Sequence, residues 1–435
     1  MHERVIFHVD ANSAFLSWTA AYRVKVLGES VDLRDIPSVV AGDKASRHSI
    51  ILAKSAPAKK FGIHTGEPLF QALEKCPDLV VVPPDYSLYV EASRHFVQML
   101  RQFSPKVEQY SIDEAWVDMT GTERLFGAPR LAAEKMRERI WNELGFTVNV
   151  GISTNKLLAK MAGDFEKPNK VHTLFPNEIP DKMWPLPVRA LFLVGQATER
   201  KLARMGIYTI GDLAHTDIAV LKKTLGKHGE TIWHFANGYN TDAVIAEPAE
   251  NKGYGNSVTT AQDVTDRDTA QQVLLSLCET VASRMRKSGV CGSCISVHLR
   301  TDSFQQFSHQ KMLSGATNMT GQIFSAVCQI FDEAWDGKTA LRQLGVQITR
   351  LSKESYQQYD LFSGVSPQQY EKKLRLDEAV DSLRDKFGED IIRRAKFTQN
   401  PEGHMAGGLD KARRTGVTKP VPKEFEADSE TGFSV

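Results

Sequence analysis

The first part of the chain alternates short apolar runs with stretches whose apolar positions return every three or four residues. Val5 to Val9, Ser38 to Val40, Ile50 to Ala53, Leu79 to Val82, Val107 to Tyr110, Ala115 to Asp118, Val148 to Gly151 and Val171 to Leu174 are short and rich in β-branched residues, which predicts strands. Phe15 to Leu27, Tyr86 to Gln102, Leu131 to Leu144 and Thr154 to Phe165 carry the helical period, with Ser153 predicted as the N-cap of the last. Strands and helices mixed in this way predict an α/β or α+β sheet layer.

Pro176, Pro180, Pro185 and Pro187 then mark a boundary, because each removes a backbone donor and restrains the residue before it. From about Leu186 to Val244, short helical pieces end at Gly195, Gly206, Gly211, Gly226, Gly229 and Gly238, which predicts a small all-helical unit. Asn251 to Gly255 is polar and glycine-rich and is expected to be a hinge. A second α+β unit follows, with strands at Ile295 to Arg300 and Leu344 to Thr349 and helices at Ala270 to Lys287 and Gly321 to Ala334. Beyond it, Leu376, Val380, Leu383 and Phe387 recur at helical spacing and predict an amphipathic helix ended at Gly388. From Pro401 the chain is mixed-charge and poor in large apolar residues, so it is expected to be disordered. No internal repeat is evident.

Composition narrows the class. At 435 residues several domains are expected, and 41% hydrophobic with 25% charged residues matches an ordinary globular protein. No apolar run suits a bilayer span, and the first residues lack the layout of a secretory signal, so a cytoplasmic location without membrane association is expected. Five cysteines imply no disulfide framework, and Cys291 and Cys294, spaced CxxC with no second pair, read as buried thiols. The net charge of +1 leaves nucleic acid open as a partner, since a binder confines positive charge to one face.

The candidate chemistry lies in carboxylates. Asp10 ends an apolar strand, and Asp113 with Glu114 occupies the turn between two others. Three converging acids would hold a pair of divalent ions for phosphoryl or nucleotidyl transfer. From the residues alone, a helix-capping Asp10 and a solvated acidic turn satisfy the same pattern.

A wider pattern gives these acids a context. His8-Val9-Asp10-Ala11-Asn12-Ser13-Ala14-Phe15, Tyr110-Ser111-Ile112-Asp113-Glu114-Ala115-Trp116-Val117-Asp118, Val150 to Ala162 and Lys167-Pro168-Asn169 follow one another as four ordered motifs. They resemble the palm motifs of the bacterial Y-family translesion DNA polymerases. The resemblance implies a multidomain α+β fold of right-handed polymerase architecture: a ferredoxin-like palm (1–35 and 86–175), small fingers (36–85), a helical thumb of helix-hairpin-helix type (176–248) and an α+β little finger (252–352). Residues 353–400 would hold a clamp-binding peptide and the C-terminal helix, and 401–435 the disordered tail.

Residue by residue, the resemblance makes Asp10, Asp113 and Glu114 the catalytic acids, which with the Ala11 carbonyl would ligate two Mg2+ ions, Mn2+ being an alternative. Asn12, Ser13, Ala14, Phe15, Ser55, Lys59 and Lys167 would line the nucleotide, with Phe15 as a steric gate against the ribose 2′-hydroxyl. A core aromatic is the reading of Phe15 without the resemblance. Lys156, Lys160, Gly195, Arg284 and Arg300 would meet DNA, with Arg286, Lys287 and Lys311 as further phosphate contacts. Gln358, Leu361 and Phe362 match the QxxLF pattern of peptides that bind the bacterial sliding clamp.

Two stretches depart from the family. In the fingers, Ala56 stands where polymerase IV carries a tyrosine and Lys59 where it carries an arginine, so this segment looks closer to the catalytic subunit of polymerase V. In the thumb, Leu193 replaces the first glycine of the hairpin turn, while Gly195 remains. The implied partners are primer-template DNA, deoxynucleoside triphosphates, the sliding clamp and accessory damage-response subunits. A non-catalytic adaptor of the same shape and a nucleotide cyclase are the competing functions.

Overall fold

Every predicted strand and helix of the first 175 residues is present in the computed structural model, which describes residues 4–42, 49–247, 250–353 and 367–397. The chain forms two units, divided near residue 248.

In the first unit the order is β1 (Ile6–Ala11), α1 (Ala14–Lys25), β2 (Ser38–Ala41), β3 (Ile51–Lys54), α2 (Ala56–Lys60), α3 (Leu69–Lys75), β4 (Val80–Val82), α4 (Tyr86–Arg101), β5 (Val107–Gln109), β6 (Glu114–Asp118), α5 (Glu123–Phe126), α6 (Pro129–Arg139), β7 (Val148–Ser153), α7 (Lys156–Gly163) and β8 (Val171–Thr173). The main sheet runs β5-β6-β1-β7-β8. Alternation decides its two faces. Phe7, Val9, Ala11, Ala115, Val117, Val148, Val150 and Ile152 enter the large core with residues of α1, α4 and α6. On the opposite face His8, Trp116 and Gly151 lie in one row. A Cβ on Gly151 would stand 1.9 Å from the carbonyl oxygen of Ala159, so α7 seats directly on the strand. Helix α7 begins at Asn155, whose side chain accepts from the Leu158 N–H at 2.9 Å; Ser153, predicted as the cap, is the last residue of β7 and bonds the Leu174 carbonyl. All eight residues of α7 are buried, because its other face joins the core of the helical segment that follows.

A smaller sheet, β3-β2-β4, has its own core of Val39, Ile51, Ile63, Leu69 and neighbours. The helical segment comprises α8 (Gln196–Ala203), α9 (Ile210–His215), α10 (Ile218–Leu225) and α11 (Lys227–Ala236). Leu193 precedes it at φ 70, the left-handed region, so the turn keeps a backbone shape that glycine adopts more cheaply.

In the second unit β9 (Gly253–Val264), α12 (Arg267–Lys287), β10 (Cys291–Thr301), β11 (Gln306–Thr317), α13 (Thr320–Ala334) and β12 (Leu341–Ser352) form a four-stranded antiparallel sheet, order β11-β10-β12-β9, packed against α12 and α13. The expected hinge at 251–255 is corrected: Gly253 to Gly255 pair with β12 as the start of β9. The thiols of Cys291 and Cys294 are free and buried, as the sequence predicts.

Helix α14 (Pro367–Phe387) reverses the expected polarity. Leu376 is 62% and Phe387 57% exposed, whereas Asp377, Asp381 and Arg384 face inward. Arg286 of α12 binds Asp381 at 2.7 Å and Asp377 at 3.3 Å, and Glu279 receives both Arg384 and Arg394. Charge pairing, and not the Leu/Val/Phe stripe, seats this helix. Removing one partner of a buried pair strands the other, at a cost of about 3 kcal/mol. Asp381→Ala leaves Arg286 only Asp377 and is therefore expected to lower the unfolding free energy by up to about 3 kcal/mol, read as a lower urea midpoint at unchanged slope; an unchanged midpoint would show that this pair contributes no stability.

Candidate active site

Pairing of β1 with β6 sets Asp10 directly opposite Glu114, and pairing with β7 sets it opposite Asn149. Residues directly opposite across an antiparallel pair project to the same face, so Glu114, Asp10 and Asn149 form a row at one end of the sheet. Asp113 adjoins it: the Ala11 N–H donates to the Asp113 carbonyl at 2.9 Å, and the Asp113 carboxylate accepts from Ser111 Oγ at 2.6 Å. Ser93 of α4 donates its hydroxyl to the Ile112 carbonyl, holding the turn from behind.

The protein's own cations face these acids. Lys167 Nζ lies 3.0 Å from Asp10 and 2.9 Å from Asp164. Glu114 accepts from His8 Nε2 at 3.0 Å and from Lys160. Burial raises the Asp10 carboxyl from 3.8 to about 6 even though Lys167 pulls the other way. Burial likewise raises Asp113 against the Ser111 hydrogen bond. Burial alone would raise Glu114 too, but the hydrogen bond from His8 and the charge of Lys160 reverse the sign and hold it at about 2. Among the described residues no three acidic, imidazole or thiol side chains form a ready-made cation cage. The donor set nonetheless fits a hard divalent ion, being carboxylate oxygens, which such ions prefer.

The residues after Asp10 divide into two kinds. Asn12 and Ala14 are buried, Asn12 in a hydrogen bond to Asn149, so only their backbone is open to a ligand. Ser13 is exposed at φ 48, and no side chain caps the amides that open α1, leaving a helix N-terminus suited to an anion. Phe15 stacks on Tyr89 with centroids 4.4 Å apart and meets Tyr86 edge-on at 6.2 Å, which fixes its ring.

Three models of known families match: the impB/mucB/samB family over residues 9–164, the C-terminal domain of that family over 251–361, and the thumb domain of DNA polymerase-iota over 191–240. Among curated proteins, DNA polymerase IV of Clostridium acetobutylicum is 44% identical over 399 residues, covering 92% of this chain and 99% of that protein. The chain belongs to the Y-family of DNA polymerases. DNA polymerase IV 2 of Bacillus subtilis is 38% identical over 92% of this chain and 96% of its own length. A solved Y-family polymerase chimera, "Dbh-Dpo4(243-245)-Dbh", superposes with TM-score 0.67 over 80% of this chain and 98% of its own, at 22% identity, and shows the shared fold. This Y-family member is a DNA-directed DNA polymerase, a nucleotidyltransferase acting on DNA with deoxynucleoside triphosphates and dependent on divalent metal, which sets aside the adaptor and cyclase readings. These two relatives are named polymerase IV, although the fingers segment looked closer to polymerase V. No helix among the described residues is long and apolar enough to cross a membrane.

Most of the other expected contact residues of the Y-family chain are engaged within the protein. Ser55 is buried and fully engaged: it caps α2 by accepting from the Ala58 N–H, accepts from the Ser38 N–H and donates to the Ile36 carbonyl. Its hydroxyl is not available to a nucleotide. Lys59 is exposed, and Lys54, which sequence reasoning passed over, lies close enough for the two charges to interact. Lys156 bonds Glu108 at 2.6 Å beneath the Trp116 ring, and Lys160 bonds Glu114. Gly195 opens α8 with empty space where a Cβ would be, so backbone approach by a phosphate is sterically open there. In the second unit Arg284 lies over the Tyr254 ring, Arg300 stands in register with Gln306 and Gln343, Arg286 and Lys287 pair with α14, and Lys311 binds Gln329. Gln358, Leu361 and Phe362, and the tail from 401, lie outside the described residues. His8, Ser93, Ser111 and Asn149 were not singled out: the strand register brings His8 to Glu114 and Asn149 opposite Asp10, Ser93 reaches the turn from α4, and Ser111 bonds Asp113 within the turn itself.

A raised carboxyl favours folding while protonated and loses that contribution as pH climbs from 3.8 through about 6. For Asp10 the loss amounts to about 3 kcal/mol, and Glu114, held low, titrates below this window. In chelator-containing buffer Asp10→Asn is therefore expected to melt close to the parent at pH 4 and clearly above it at pH 7. A melting difference that stays constant over that range would refute the assignment.

Proposed function

We propose that this polymerase performs translesion synthesis in the bacterial cytoplasm, extending a primer opposite damaged template by two-metal nucleotidyl transfer. The observation that carries the reading is the register placing Asp10 against Glu114 with Asp113 alongside. Asp10, Asp113, Glu114 and the Ala11 carbonyl would hold two Mg2+ ions, or Mn2+ in their stead. Such ions, when bound, neutralise phosphate charge and lower the pKa of the attacking hydroxyl.

The chain's own groups do the rest. Lys167, 3.0 Å from Asp10, is the cation that would meet the triphosphate, and Lys59 with the amides opening α1 would complete the anion site. His8 and Lys160 keep Glu114 ionised, and Ser111 orients Asp113. Phe15, braced by Tyr89 and Tyr86, forms the wall beneath the sugar. In the fingers (36–85) the five-residue α2 carries Ala56 and exposed Lys59 where the family has a tyrosine and an arginine over the triphosphate. Palm (1–35 and 86–175), thumb (176–248) and little finger (252–352) complete the assignment. Gly195, Arg284 and Arg300 are the remaining candidates for DNA phosphates. The peptide with Gln358, Leu361 and Phe362 recruits the sliding clamp, and accessory damage-response subunits are the further partners.

Primer extension with Mg2+ on intact and lesion-bearing templates tests the proposal. Asp113→Ala is expected to reduce extension about a thousandfold while primer-template affinity stays within about twofold, since the acids act on metal and not on duplex. Extension at parental rate by that variant removes the metal assignment, and failure of the parent on every lesion removes translesion synthesis. Phe15→Ala is expected to raise ribonucleotide insertion by about a hundredfold, read as the ratio of kcat/KM for the two sugars. An unaltered ratio would leave Phe15 a core aromatic.

A further inference from the structure

Asn149 faces the same end of the sheet as the acids but touches no position a substrate would occupy. It is wholly buried on β7, directly opposite Asp10. Its amide meets four partners: Oδ1 accepts from Asn12 Nδ2 at 3.2 Å and from the Lys170 N–H at 3.3 Å, and Nδ2 donates to the carbonyls of Gly163 at 3.0 Å and Glu166 at 2.6 Å. A carboxamide has two donor hydrogens and two acceptor lone pairs, so its capacity is filled.

Those partners belong to three elements around the triphosphate site. Gly163 ends α7, Glu166 and Lys170 bracket the turn that carries Lys167, and Asn12 sits just before α1. Asn12 closes the circuit, because its Oδ1 accepts from the Asn169 N–H at 2.9 Å and its carbonyl accepts from Ser17 Oγ at 2.6 Å. Lys167 itself has no direct bond to β7; the described contacts of its ammonium are with Asp10 and Asp164. Where its charge stands relative to Asp10 is therefore set through the backbone at 166 and 170.

We propose that Asn149 is a positioning residue for nucleotide binding: a buried amide that fixes the Lys167 turn and the start of α1 relative to Asp10. The inference rests on the reading of Lys167 as a triphosphate contact, and it goes beyond that reading by assigning a function to a residue outside the family's motif acids. Both bonds that Asn149 donates end on carbonyl oxygens. Asn149→Asp keeps the shape but turns acceptor against acceptor at Gly163 and Glu166, which pushes the turn away. Asn12→Ala is milder and removes only the branch to Asn169 and the bond to Asn149.

The experiment measures KM for a deoxynucleoside triphosphate, kcat, primer-template affinity and melting temperature for Asn149→Asp, Asn12→Ala, Lys167→Ala and each of the first two combined with Lys167→Ala. Asn149→Asp is expected to raise KM about tenfold, the value of one charge-assisted contact, with kcat and DNA affinity changed less than about threefold. In the Lys167→Ala background the same substitution is expected to add less than about threefold to KM, because most of its effect runs through that ammonium and only the remainder through the start of α1. Should Asn149→Asp fail to fold, Asn12→Ala carries the same comparison with a smaller rise. An equal rise in KM with and without Lys167, or a loss confined to melting temperature, overturns the proposal. If Lys167→Ala alone leaves KM unchanged, the reading of Lys167 fails first, and that outcome is distinct from a normal KM in Asn149→Asp.

Discussion

Backbone pairing between β1 and β6 governs this molecule. The two acids at positions 10 and 114 are more than a hundred residues apart in the chain, and only the antiparallel register brings them opposite each other. Because side chains alternate with period two, a slip of one residue would send Asp10 into the apolar core and Val9 to the site. The core prevents it. Phe7, Val9 and Ala11 are fully or almost fully buried on one face, so the free energy of their burial holds His8 and Asp10 on the other.

The same face concentrates charge in a place where charge is expensive. Burial opposes ionisation of Asp10 and Asp113, and the chain offsets part of that cost with Lys167 and Ser111, while Glu114 has both His8 and Lys160. Glu114 has two basic neighbours of its own, whereas Asp10 shares Lys167 with Asp164 and Asp113 has a hydroxyl as its direct partner.

How much was readable beforehand follows from where each signal lies. Every strand up to residue 175 and the helices α1, α4, α6 and α7 announced themselves by their apolar positions, whereas α2, α3 and α5 are too short to show a helical period, and the acids stood inside contiguous motifs. In the second unit, β9 and β11 were missed because their outward residues, such as Ser257, Ser308 and Gln310, are polar and one of them begins with glycines, so alternation was faint. Asn12, Ser55, Lys156 and Lys160 carry side chains that suit a ligand, and nothing local tells that Asn149, Ile36, Glu108 and Glu114 already engage them. Helix α14 misled in the opposite sense. Its period was plain, yet a period does not say which stripe turns inward when Arg286 and Glu279 wait on the neighbouring helix.

Gly151 draws these threads to one point. With the Ala159 carbonyl where its side chain would begin, the position admits no atom beyond hydrogen, and helix α7 cannot retreat because its far side is packed into the helical segment. Lys160 rides on that helix and Asn149 precedes the glycine by two residues on the strand. Drift of sequence at this contact is thus closed off by volume alone, independent of any chemistry at the site. The spacing between strand and helix is thereby a fixed dimension of this sheet, much as a hinge pin sets the gap of a door.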